Sequence, residues 1–70
     1  MKILTKETPN SRATLWLAPT SQGGFRWEVE VVETGKTTPP QVIQSEFEFR
    51  TPTDAALDGM RALDAIGAVH

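Results

Sequence analysis

The sequence contains no cysteine and no tyrosine, and its single histidine is the final residue, His70. Without cysteine, neither a disulfide nor a thiolate metal cluster can staple the chain, so an aliphatic and aromatic core must suffice, helped at most by a second subunit. Catalytic chemistry is poorly served as well. A terminal histidine is seldom held within hydrogen-bond reach of a nucleophile, and no serine or threonine lies in a Gly-x-Ser-x-Gly setting. We expect no enzyme, no catalytic residue and no cofactor.

The chain also lacks a block of like charges and a long apolar run. Seven basic and nine acidic side chains are scattered along it, for a formal net charge of −2. A nucleic-acid binder usually carries a basic stripe, because phosphate contacts supply most of its affinity. No stretch approaches the ~20 apolar residues that span a bilayer, and Met1-Lys2-Ile3-Leu4 turns polar at Thr5, too soon for a signal-peptide core. The expectation is a cytoplasmic protein that does not engage a membrane.

A phosphate cradle and a metal site are excluded on similar grounds. Gly23-Gly24 precedes a strand pattern and not a helix, while the helix start near Thr51 carries Asp54 and Asp58, which repel anions. Those two aspartates stand one helical turn apart, but a hard cation takes six or more oxygens from a shaped site, and their place near the positive end of a helix dipole already explains them.

What is present is alternation. In "FRWEVEVVE", Phe25, Trp27, Val29 and Val31 fall on one side and Arg26, Glu28, Glu30 and Val32 on the other, the period of a half-buried antiparallel strand. "QVIQSEFEFR" repeats the scheme with Ile43, Ser45, Phe47 and Phe49 inward and Val42, Gln44, Glu46, Glu48 and Arg50 outward. "RATLWLA" places Ala13, Leu15 and Leu17 inward and Thr14, Trp16 and Ala18 outward. Strands are therefore expected at 13–18, 25–33 and 41–50. "PTSQGG" and "TGKTTPP" supply glycines for positive φ and prolines that cannot donate to a ladder, as hairpin loops need. Residues 1–12 carry two readings, an extra edge strand through Ile3 and Leu4 turned by "TPNS", or a loose arm.

A change of period at Thr51 marks a helix over 52–66. Thr51 suits the N-cap, Pro52 the first helical position, and Asp54 the third position of a Thr-x-x-Asp box. At 100° per residue, Ala55, Ala56, Gly59, Met60, Leu63, Ile66 and Gly67 share one face, whereas Asp54, Asp58, Arg61, Asp64 and Ala65 point away; Gly67 is a plausible stop. Gly59 in mid-helix costs about 0.8–1 kcal/mol relative to alanine, which suggests a close crossing of helix over sheet, with the small Ser45 as the matching low point. The expected fold is α+β: a three-stranded antiparallel meander, four-stranded if residues 1–12 pair, with the C-terminal helix on one face and the other face open.

The last third of the chain, a strand ending in Phe-x-Phe followed by "RTPTDAALDGMRALDAIG", resembles small uncharacterised bacterial proteins of a β-β-β-α type. Phe49, Thr51, Asp54, Ala55, Gly59 and Ala62 carry the pattern. The resemblance implies a fold and no catalytic residues. A partly similar body occurs in antitoxin-like small domains, where it binds a toxin protein.

The open sheet face is the remaining candidate surface. If Leu17 pairs with Phe25 and Glu33 with Gln41, then Trp16 lies opposite Arg26, Arg26 opposite Glu48, and Val32 opposite Val42. Cross-strand pairs of this kind stabilise a solvated sheet by roughly 0.2–1 kcal/mol each, so the charges require no function. Trp16 is different, because tryptophan is enriched at binding hot spots and Trp16, Arg26, Val32 and Val42 together would make a modest apolar patch with a charged rim. The competing explanation has Trp16 stacked on Arg26 or covered by residues 1–12. The expected partner is another protein or a second copy, with a nucleic-acid accessory role as the alternative.

Overall fold

The computed structural model describes residues 1–35 and 37–69, the last four of these by backbone alone. It is an α+β fold in which four antiparallel strands, β1 (Lys2–Glu7), β2 (Ser11–Pro19), β3 (Phe25–Glu33) and β4 (Gln41–Gln44), form a sheet in chain order and one helix, α1 (Pro52–Val69), packs on it. His70 lies outside the described residues.

The alternating residues of β2 and β3 do what their pattern requires. Ala13, Leu15, Leu17, Trp27, Val29 and Val31 are buried beneath the helix and join Ala55 and Leu63 in a single core. Of residues 1–12, whose last two already belong to β2, Lys2–Glu7 form the fourth strand. Its pattern is obscured in sequence because the register shifts between Lys2 and Leu4, so that the consecutive apolar residues Ile3 and Leu4 both pack against the core.

Loop geometry sets a different register from the expected one. The β2–β3 hairpin closes on Pro19 opposite Phe25, with Thr20 bonded to Gly24 across the turn and Gly23 at φ +84°, so Leu17 faces Trp27 and not Phe25. Pro19 is tolerated there because it ends its strand, where no ladder donor is required. Across β3 and β4, Val31 faces Gln41 and Glu30 faces Val42, again two residues away from the expected pairing.

The last strand is shorter than its alternation suggests. It ends at Gln44; the Ser45 amide still bonds to the Trp27 carbonyl (3.0 Å), and pairing resumes only at an isolated Phe25–Phe49 bridge. Between those two points β3 spends one residue, Arg26, and the other segment spends three. The surplus loops out and turns Phe47, expected inward, into solvent at 70% exposure.

Thr51 caps the helix, its hydroxyl accepting from the Asp54 amide at 3.1 Å. Ala55, Gly59 and Leu63 are buried as the helical period demands, but Met60, at the margin of that face, is exposed. Ile66 and Gly67 lie outside the residues whose side chains are described, and the helix passes Gly67 to end at Val69. The close crossing at Gly59 is real, over other residues than expected. A Cβ there would meet Leu15 Cδ1 at 2.6 Å and Trp27 Cγ at 3.0 Å, whereas Ser45 is buried beside the Trp27 backbone.

Candidate functional site

The helix contacts β3, β2 and β1 on one side of the sheet, which leaves the opposite side open. Opposed residues in an antiparallel pair share a face, so the open side is assembled from Lys2, Thr5 and Glu7 on β1, the even-numbered residues of β2, and Arg26, Glu28, Glu30 and Val32 on β3.

Trp16 stands near the middle of this surface and is 40% exposed, between Lys2 on one neighbouring strand and Glu28 on the other. The expected opposition to Arg26 is replaced by Glu28, and β1 lies beside Trp16 without covering it. A shallow groove runs from Trp16 along Thr14 and Arg12 to Val32 and Thr34. Its walls are tied down by local bonds: Arg12 Nε donates to Glu7 Oε1 at 2.9 Å, and the Thr5 and Thr14 hydroxyls lie 3.3 Å apart.

Of the four residues expected to bind a partner, only Trp16 and Val32 share that groove. Arg26 stands opposite Ala18 and lines a separate hollow with Thr20, Gln22 and Glu48, where the Thr20 hydroxyl bonds to the Glu48 carboxylate. Val42 is 51% exposed but lies opposite Glu30 on the outermost strand, and Val32 stands opposite Arg12 instead of Val42. The patch inferred from the sequence is thus split by the true register.

A second surface was hidden from sequence reasoning. On the helix side of the sheet, α1 does not contact β4 among the described residues, and Ile43, Phe47 and Phe49 line a hollow beside Trp27 and Asp58. Asp58 was expected to point away from the sheet. Its Oδ2 instead accepts the Trp27 indole N–H at 2.8 Å, which satisfies the polar end of a buried ring. The sequence held one signal for this contact, since an inward tryptophan needs an acceptor and Asp58 sits at the edge of the helix's apolar face.

The open face alternates basic and acidic groups, the hollow is mainly apolar, and among the described residues no three metal-ligating side chains cluster. No protein family matches this sequence, and no curated protein or solved structure shows significant similarity to it.

Proposed function

We propose that this chain is a small, cytoplasmic, non-enzymatic interaction module that binds a protein partner through the open face of its sheet. One observation carries the reading: Trp16 is 40% exposed on a face that the helix leaves bare, at the head of a groove leading to Val32. A tryptophan ring held on a strand between fixed neighbours loses little conformational freedom on binding, the property that makes such rings binding anchors. Glu28 and Glu30 beside it favour a protein surface over a phosphate backbone, so the nucleic-acid reading ranks second. The resemblance of residues 47–67 to small bacterial β-β-β-α proteins belongs to the same proposal.

The test begins with a photo-crosslinking residue at position 16 in cells, with position 57 on the exposed side of the helix as the control. The partner recovered is then titrated with purified chain. Trp16→Ala should weaken that complex by on the order of thirtyfold, the consequence of losing about 2 kcal/mol at a central tryptophan. Its amide NMR spectrum should stay folded. Equal crosslinking at positions 16 and 57, or equal affinity of the two chains, would reject the open face as the binding surface.

A further inference from the structure

The two edges of the sheet are built differently. β1 carries Lys2, Lys6 and Glu7 together with a register shift, the devices by which proteins keep an edge from pairing with another chain. β4 carries no charge and no register shift; what limits its pairing is its four-residue length and the Pro39-Pro40 pair before it. From Thr37 to Ser45 the sequence holds no charged residue, in a chain where almost a quarter of residues are charged. Among the described elements nothing pairs with the outer edge of β4.

The direction of that edge follows from one bond. The Ser45 amide donates to the Trp27 carbonyl, so in an alternating ladder Ile43 and Gln41 also exchange bonds with β3, and Val42 and Gln44 direct their N–H and C=O groups outward. A partner strand must meet those four groups. We infer that the partner is a second copy of this chain, pairing β4 with β4 antiparallel about a two-fold axis at Ile43.

The self-pairing satisfies the backbone of the edge and brings no charges together. With Ile43 opposite Ile43, Val42 faces Gln44 of the second copy and Gln44 faces Val42, so every outward donor and acceptor within the strand bounds is met by four bonds. Beyond them Pro40 offers no N–H, which ends the ladder symmetrically. The alternative register centred on Val42 would oppose Gln44 to Pro40 and leave carbonyls unmatched. On the helix side, Ile43 meets Ile43 of the second copy across the axis, and the end of the hollow that carries the 70%-exposed Phe47 lies alongside the Pro39–Gln41 segment of the second copy. Because the edge is uncharged, two identical copies approach without repulsion at the seam. An isologous contact of this kind gives one continuous eight-stranded sheet with both helices on the same side.

The edge is only four residues long. Such a contact falls below the ~1,200 Å² of a standard interface, so dissociation on the order of 100 μM is expected. Sedimentation of the wild-type chain from about 10 μM to 1 mM should show the mass rising toward a dimer over this range. Gln44→Pro removes an outward N–H while sparing the β3 ladder, and should shift the midpoint tenfold or more; Phe47→Ser should shift it in the same direction. Trp16→Ala should leave it unchanged, which separates this edge from the open-face binding proposed above. Since the chain has no cysteine, single-cysteine variants report register directly. Ile43→Cys places two thiols across a non-bonded pair with Cα atoms ~4.5 Å apart, within disulfide range, and should oxidise to dimer far faster than Val42→Cys or Gln44→Cys. A monomer at 1 mM, self-association lost in Trp16→Ala but kept in Gln44→Pro, or crosslinking that does not peak at position 43 would each overturn the inference.

Discussion

Trp27 is where sheet, helix and last strand meet. Its ring lies under Gly59, its indole N–H donates to Asp58 at 2.8 Å, and its backbone N–H reaches the Ser45 hydroxyl at 3.4 Å. Removing the carboxylate would strand a donor on a ring that is only 6% exposed. Asp58→Ala should therefore destabilise the fold by about 1–3 kcal/mol in urea unfolding, and Asp58→Asn by less, because the amide oxygen still accepts. Equal losses in both variants would assign the effect to the helix dipole, which responds to charge alone.

Gly59 is the counterpart on the helix. Alanine there gains about 1 kcal/mol of helix propensity but drives a methyl group into Leu15, a side chain with no exposed surface and little room to yield. Overpacking of this kind costs ~1–3 kcal/mol, so Gly59→Ala should be neutral to mildly destabilising and Gly59→Leu destabilising by ~3 kcal/mol, despite leucine's better propensity. A leucine variant as stable as the parent in the same unfolding experiment would place position 59 away from the sheet.

At the scale of elements, the helix shows how sharply burial divides neighbouring positions. Leu63 is 2% exposed in the core and Arg61, two residues earlier, lies on the solvent side. Leu63→Ala should cost about 2–5 kcal/mol through lost burial and the cavity left behind, while Arg61→Ala should stay within ~0.5 kcal/mol of the parent by chemical denaturation. Comparable losses at both would mean that the helix is rotated from the face described.

The helix, β2 and β3 were legible in the sequence because each combines a clean period with local end signals, the Thr51 cap for the helix and glycine turns for the strands. What was illegible depended on the backbone between those signals. Alternation persists through Glu46-Phe47-Glu48-Phe49, yet the chain spends three residues where β3 spends one, and no side-chain pattern records that surplus. The adjacent Ile3 and Leu4 broke alternation and left β1 undecided, although a register shift resolves them. Register itself was displaced by two residues in both hairpins. A shift of two keeps every side chain on its face, so the core was recognised while the open-face patch of Trp16, Arg26, Val32 and Val42 was not assembled as expected.

At the scale of the whole molecule, a single helix on a four-stranded sheet makes an elongated body, 38 × 21 × 18 Å along its principal axes. The radius of gyration is 12.4 Å, larger than the ~11 Å of a compact domain of this length. A body this narrow has little interior, and among the described residues only Leu15, Val29 and Leu63 of the large side chains are exposed by 2% or less. Stability should accordingly sit in the range of ~4–10 kcal/mol typical for this size, so that one core truncation removes a large part of it. That stability is also distributed unevenly. β2 and β3 have strands on both sides and the helix above, whereas β4 has one neighbour and no contact with α1 among the described residues. The Thr34 amide bonds to the Asn10 carbonyl at 3.0 Å, which fixes Arg12 with Val32, Thr14 with Glu30 and Trp16 with Glu28 as the bonded pairs of the central ladder. Hydrogen exchange on dilute protein should therefore find the amides of Thr14, Trp16, Glu28 and Glu30 opening only with global unfolding. The Ile43 amide, bonded to β3 but lacking the helix above it, should exchange through a smaller local opening, and the outward amides of Val42 and Gln44 should exchange near the unprotected rate. Protection of Ile43 equal to that of Glu30 would show that β4 belongs to the same cooperative unit as the core, and that the helix is not what holds the sheet together.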